Sequence, residues 1–235
     1  MSLHRLGWAV SGRGAILQGI LEAQRSGLLG SRTGLIICDR ESEIEDHAKF
    51  HSIPLKRIDP ISLEDKADFQ KQVGEALSVH GIDWLGLTFN RLLAREIIDD
   101  MGGRIFNIHF ARLPAFPGFF PIRRAIQAGA LVTGATIHLV DSGIDTGPII
   151  AQASCPVASD DTEKLLGRRL FELILPLTIQ VVREIENGAL ILDDERRPAW
   201  DDRTRIHKSG AYFPAPDRDV LEFAEAFCAR LSVSL

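Results

Sequence analysis

Apolar positions along the chain fall into short dense runs that alternate with longer stretches of helical spacing. Leu6, Trp8, Ala9 and Val10 make the first run, over residues 5–11, and it enters Ser11-Gly12-Arg13-Gly14. Ile16, Leu17, Ile20 and Leu21 then recur on one helical face over 15–24. Further runs at 33–38, 55–58, 83–89 and 104–109 read as strands, with helices expected at 42–51, 61–80 and 122–128. Two more strands, 132–140 and 149–157, flank the turn-rich segment 141–148. A long helix follows from about Asp160 to the Asn187-Gly188 stop, with Leu165, Leu166, Leu170, Leu173, Ile174 and Leu177 on its core face. Val220 to Leu231 is an amphipathic helix that packs on the domain or on a second subunit, which leaves a homodimer open. Strands alternating with helices place the chain in the α/β class.

Charge and composition narrow the function classes. The 27 Lys and Arg are outnumbered by 32 Asp and Glu, and the basic pairs Arg123-Arg124, Arg168-Arg169 and Arg196-Arg197 are scattered. Nucleic-acid binding draws on clustered cations, so no nucleic-acid partner is expected. No apolar run approaches the ~20 residues of a spanning helix, and the N-terminus lacks an export pattern, so no membrane association is expected. Three widely spaced cysteines, Cys38, Cys155 and Cys228, argue against a disulfide framework and suit a reducing cytoplasm. His47 and His51 have the spacing of two metal ligands on one helical face, but no carboxylate occupies the usual partner position. A surface or packing role is expected there, and no resident metal.

The chemistry concentrates elsewhere. Asn107 and His109 stand two residues apart at the end of an expected strand, so both side chains leave the same side of it. Asp145 comes from the segment 141–148, and His138 from the strand before it. An acid/base group, a carboxylate to orient it and a neutral amide donor are the parts needed for nucleophilic attack on a carbonyl. Taken singly, Asn107 and His109 read rather as satisfying buried backbone groups and His138 as a core histidine, and His109, His138 and Asp145 could also form a mononuclear metal site. Near the N-terminus, a strand, a glycine turn and a helix aim backbone N–H groups at an anion. The turn lacks the third glycine of a dinucleotide fingerprint and the Lys-Ser/Thr of a Walker loop.

The run Asn107-Ile108-His109, then Leu113-Pro114, Pro117-Gly118, Gly129, Gly134, Thr136-Ile137-His138 and Asp145-Thr146-Gly147-Pro148-Ile149-Ile150, resembles the folate-dependent formyltransferases. Within them it looks most like phosphoribosylglycinamide (GAR) formyltransferase. The resemblance implies the formyltransferase fold, a Rossmann-like, mostly parallel twisted sheet with helices on both faces. It implies a catalytic domain over 1–205, with a glycine-loop acceptor half (1–104) and a folate and catalytic half (105–205). A C-terminal extension over 206–235 carries the amphipathic helix.

The implied activity is transfer of a formyl group from the co-substrate 10-formyltetrahydrofolate to a primary amine of a small, phosphate-bearing substrate. GAR leads, a nucleotide-linked amino sugar is the alternative acceptor, and 10-formyltetrahydrofolate hydrolysis is the alternative reaction. By resemblance, Asn107 stabilises the oxyanion, His109 moves protons, and Asp145 orients His109 and favours its protonated form, with His138 in support. Arg91, Leu92 and Leu93 would line the pteridine pocket, and Val140, Asp141, Ser142, Gly143 and Ile144 would wrap the cofactor with backbone groups. Gly12, Arg13, Gly14 and Ala15 would hold the acceptor's phosphate, with Phe120 and Glu172 as further acceptor contacts. The chain departs from the GAR pattern where the family usually has Ser-Asn (here Ala15-Ile16), a loop histidine (here Phe119-Phe120) and a helix glutamate (here Phe171, with Glu172 one residue away). Tyr212-Phe213-Pro214 looks like a stretch that follows the catalytic core in sugar-amine and methionyl-tRNA relatives.

Overall fold

The computed structural model describes residues 4–63, 65–200 and 211–233. They divide into two compact units, Met1–Asn107 and Ile108–Leu235. The boundary expected at 205/206 lies outside the described residues.

The first unit runs β1 (Arg5–Val10), α1 (Ala15–Arg25), β2 (Arg32–Cys38), α2 (Ile44–Phe50), β3 (Leu55–Arg57), α3 (Lys66–Val79), β4 (Trp84–Thr88), α4 (Arg95–Asp100) and into β5 (Ile105–His109). The second runs α5 (Pro121–Gln127), β6 (Val132–Leu139), β7 (Ile149–Pro156), α6 (Glu163–Glu186), β8 (Leu190–Leu192), β9 (Pro198–Trp200), β10 (Tyr212–Phe213) and α7 (Arg218–Val233). Strand order in the main sheet is β10-β7-β6-β5-β4-β1-β2-β3. β1 pairs in parallel with β2 and β4, β2 with β3, and β4 with β5. β7 pairs antiparallel with β6 and β10, so the sheet is mixed but mostly parallel, as expected of this α/β fold.

The strands of the first unit are nearly continuous apolar runs because a parallel sheet is covered on both faces. Trp8 on β1 is fully buried, and its ring meets Phe106 of β5 edge-on, with centroids 5.6 Å apart. Gly86 of β4 makes room for it: a Cβ there would lie 2.5 Å from the indole. Local chemistry also sets the helix bounds. α3 begins later than the apolar pattern suggests, because Asp65 accepts the Asp68 N–H at 2.9 Å and caps it. Thr162 does the same for α6, receiving the Leu165 N–H. The periodicity leaves α4, the β8–β9 pair and β10 unassigned, since six, three and two residues are too few to show a period.

In the second unit the tail helix α7 packs on α6. Arg183 of α6 makes a bidentate pair with Asp219 (2.9 and 2.8 Å) and reaches Asp217 at 3.1 Å, while Gln180 exchanges hydrogen bonds with Asp217. No helix among the described residues is long and apolar enough to cross a membrane. The Arg183 side chain is mostly enclosed, so Arg183→Ala should destabilise the tail contact by about 1–3 kcal/mol. Urea denaturation should show a lower midpoint with an unchanged slope.

Candidate active site

In the second unit, side chains from three segments meet around one carboxylate. Asp145 sits in the loop after β6 with φ 55°, a left-handed conformation uncommon for a residue with a Cβ. The loop is bent so tightly that a Cβ on Gly147 would lie 1.9 Å from the Leu139 carbonyl oxygen, and only glycine fits. Asp141 braces the same loop, its Oδ1 accepting the Gly143 N–H at 2.9 Å and the Thr146 hydroxyl at 2.7 Å. Its side chain is thereby spent on the turn. Val140 is half-buried, while Ser142, Gly143 and Ile144 are exposed.

Asp145 Oδ2 accepts the Gly118 N–H at 2.7 Å and stands 3.2 Å from His109 Nδ1, while Oδ1 lies 3.5 Å from His138 Nε2. Both imidazoles are buried. The other nitrogen of each faces a backbone carbonyl: His109 Nε2 lies 2.9 Å from Phe116 O, and His138 Nδ1 lies 2.8 Å from Leu139 O. The contact with His138, then the Gly118 N–H, hold the Asp145 carboxyl down at about 2 despite burial, so it is ionised at neutral pH.

His109 behaves differently from expectation. The carboxylate and the Phe116 carbonyl do pull toward the protonated form, but burial outweighs them and the imidazole pKa falls below its ordinary 6.5. The ring is therefore neutral and basic near pH 7. Asn107, two residues earlier on β5, is half-buried between Phe106 and Ile108, which are buried.

The segment leading to Gly118 is fastened from below. The Thr136 hydroxyl donates to Ala111 O (2.8 Å) and accepts the Leu113 N–H (3.1 Å), and Gln152 Nε2 donates to Leu113 O (2.8 Å). Gln152 escaped the sequence reading, since a lone glutamine in a strand carries no pattern of its own. Phe119 and Phe120 follow, both exposed, with Arg123 5.2 Å above the Phe120 ring. Glu172 belongs to another cluster: it faces Arg168 at 3.7 Å on α6 and lies near Cys228 of α7.

The glycine turn lies in the first unit. Gly12 and Gly14 take φ 84° and 66°. A Cβ on Gly14, the N-cap of α1, would also meet Ile44 at 2.9 Å and Val10 at 3.0 Å. Ala15 is half-buried and Ile16 is buried, so Ile16 belongs to the core. Arg13 is exposed and stands 3.4 Å from Glu43. Arg91 bonds through Nε to Asp39 Oδ2 at 2.9 Å, Leu92 is exposed and Leu93 half-buried. Asp39 is a functional candidate that sequence reasoning missed. An Asp-Arg pair at the C-terminal end of a parallel strand could have pointed to it.

The model of the formyl transferase family matches residues 4–182. The chain belongs to the formyl transferase family. The phosphoribosylglycinamide formyltransferase of Bacillus subtilis is 34% identical over 165 residues, 69% of this chain and 85% of that one. That of Mycobacterium tuberculosis strain H37Rv is 35% identical over 167 residues, 71% of this chain and 77% of the relative. Among solved structures, glycinamide ribonucleotide transformylase 1 from Symbiobacterium toebii superposes with a TM-score of 0.80 at 33% identity, covering 85% of this chain and 95% of its own. A formyltetrahydrofolate deformylase from Pseudomonas syringae shares the fold at 23% identity, TM-score 0.76, over 86% of this chain and 67% of its own. This formyl transferase is thus an enzyme that handles a formyl group on the mixed α/β sheet described above.

The depressed Asp145 pKa has a stability consequence. A carboxyl that titrates at about 2 in the fold and at 3.8 otherwise gives stability that is complete above 3.8 and is lost as pH falls toward 2. With the side chain largely enclosed, the contribution is about 2 kcal/mol. Urea unfolding of the wild type should show this acid limb, and Asp145→Asn should flatten it.

Proposed function

We propose that this formyl transferase moves the formyl group of 10-formyltetrahydrofolate to the primary amine of GAR. The observation that carries the reading is the largely enclosed, ionised Asp145 with neutral His109 at 3.2 Å, inside a chain of this family. The amine attacks the formyl carbon and forms a C–N bond, and the carbonyl oxygen becomes an oxyanion. Asn107 donates its side-chain N–H to that oxygen. His109 accepts the amine proton and returns it to the departing folate nitrogen as the old C–N bond breaks and the formamide C=O re-forms. Asp145 holds the imidazole in orientation and favours its transient positive charge, and His138 steadies Asp145 from the other oxygen. With the single proton of the neutral ring on Nδ1 toward Asp145, Nε2 carries the lone pair, and the Phe116 carbonyl that now faces it at 2.9 Å gives way to the reactants when the proton moves.

Arg91, Leu92 and Leu93 with the backbone of 140–144 are assigned to the folate, and Gly12, Arg13, Gly14 and Ala15 to the acceptor's phosphate. Domain limits of 1–205 for catalysis, with halves meeting at 104/105, and 206–235 for the tail, belong to the same reading. So does a cytoplasmic location. The exposed Phe119-Phe120 pair beside Arg123 favours a second acceptor, a nucleotide-linked amino sugar, because a flat aromatic face suits a sugar or base.

The deciding experiment follows tetrahydrofolate release from 10-formyltetrahydrofolate by absorbance with GAR, with an amino sugar nucleotide and with water alone. Acceleration by GAR supports the proposal; turnover with only the sugar, or equal turnover without any amine, overturns it. His109→Ala should lower kcat/KM by about 10²–10⁴-fold, and Asn107→Ala by about 10²–10³-fold. Because His109 acts in its neutral form and its pKa lies below 6.5, kcat/KM should rise with pH through an acid limb below that value. Asp145→Asn removes the carboxylate that favours the protonated ring, so it should move this limb further down.

A further inference from the structure

The first unit has a second concave face, at the end of β1 and β2 away from the glycine turn. The two strands run in parallel, so their first residues, Arg5 and Arg32, lie side by side as register partners. Helix ends arrive at the same edge: Arg25 closes α1, and His51 and His80 are the C-caps of α2 and α3. With His4 these residues line a cleft of about 680 Å³, and no carboxylate is among its lining residues. Small-molecule sites have volumes of this order, about 300–1,000 Å³.

Part of the positive charge serves the fold. Helix C-termini favour cations, and Arg5 Nη1 donates to His80 O at 2.9 Å. A bulge at Gly34 seats the Arg5 stem, since a Cβ there would collide with its Cγ. Arg25 grips Glu22 with two nitrogens, at 2.8 and 2.6 Å. Asp83 accepts the backbone N–H of Arg5 rather than its guanidinium. Arg32 is different: it is exposed, and its guanidinium makes no hydrogen bond or ion pair with a described residue. Two guanidiniums thus begin neighbouring strands with no described carboxylate paired to either, although like charges opposite each other in a sheet are destabilising.

The floor of the cleft supplies fixed neutral donors. The buried Thr33 hydroxyl donates to Gln24 Oε1 at 2.9 Å, and Gln24 Nε2 donates to the Oγ of buried Ser31 at 3.3 Å. Burial, with His47 and Arg25 in support, lowers the His51 pKa against the pull of Glu22, so its ring is neutral near pH 7 and offers one N–H.

We propose that this cleft binds a small organic phosphate, gripped by Arg5 and Arg32, at a site that shares no residue with the catalytic centre or the glycine turn. A phosphate monoester carries close to two negative charges at neutral pH and three strong acceptor oxygens. It therefore matches a pair of guanidinium forks, where a single carboxylate matches one. The Gln24 amide and the His51 ring meet the rest of the molecule, and Leu21, Leu29 and Ile53 give its organic part an apolar wall.

The test reads binding by NMR, so it does not depend on turnover. Adenosine 5′-monophosphate, adenosine and succinate are titrated into the full chain. The Gln24 side-chain amide and the His51 and His80 rings report on the cleft, and the Gly12 and Gly14 amides on the glycine turn. The expected result is saturable movement of the cleft signals by the nucleotide and not by adenosine or succinate. Arg32→Gln should weaken binding about tenfold, the size of one lost charge-assisted contact, and Arg32→Glu should abolish it. Both variants should keep the wild-type spectrum elsewhere and the wild-type rate of formyl transfer. Movement of the Gly12 and Gly14 signals alone, no saturable binding, or undiminished binding by Arg32→Glu overturns the proposal. An equal response to succinate also overturns it, as does a loss of formyl transfer in the Arg32 variants that parallels the loss of binding. Failure of GAR to accept the formyl group would refute the proposed function and leave this site standing.

Discussion

One carboxylate organises the second unit. Asp145 is nearly enclosed, yet each of its oxygens has a nitrogen within reach, and Gly118 adds a backbone N–H. In a low-dielectric setting such a group is tolerable only when its partners are complete. That requirement explains much around it: the left-handed φ of Asp145 itself, the glycine forced at 147 by the Leu139 carbonyl, and Asp141 turned inward to brace the loop. Thr136 and Gln152 serve the same end from the sheet, because they hold the backbone of 111–113 from which the chain runs on to Gly118.

The competition between burial and charge decides what His109 is. A neighbouring carboxylate by itself argues for an imidazolium, but removing the ring from water disfavours its charged form more strongly. A neutral imidazole beside an ionised carboxylate is suited to receive a proton and hold it briefly. The same rule works in the opposite direction at Asp39, where burial would raise the carboxyl pKa and hydrogen bonds from Arg40, Arg91 and Ser11 more than reverse it. Two enclosed carboxylates thus stay ionised, one among imidazoles that can exchange protons and one among guanidiniums that cannot.

The glycine turn is set by its backbone and by close neighbours. Gly14 is required by its positive φ and by the approach of Ile44 and Val10, which leaves no space for a side chain. Ile16 turns into the core. Ser11, which opens the turn, joins it to the Asp39 cluster.

The alternation of apolar runs with helical spacing was enough to read the α/β class and the order of the long elements, because parallel strands buried on both faces and amphipathic helices leave strong periods. His109 and Asp145, which the structure brings within 3.2 Å, stood out in the sequence because a motif places unusual chemistry at a strand end and in a glycine-rich loop. The pairing of His138 with the second oxygen of Asp145, the sign of the His109 shift and the separation of Glu172 from this cluster were not. They depend on distances between segments far apart in the chain and on how much water burial removes. α4, the β8–β9 pair and β10 were hidden for another reason: elements of two to six residues carry no period, and their backbone is held by neighbours rather than by their own sequence. Asp39 was missed because its meaning lies in Arg91, fifty-two residues away, and only the folded chain brings the two together.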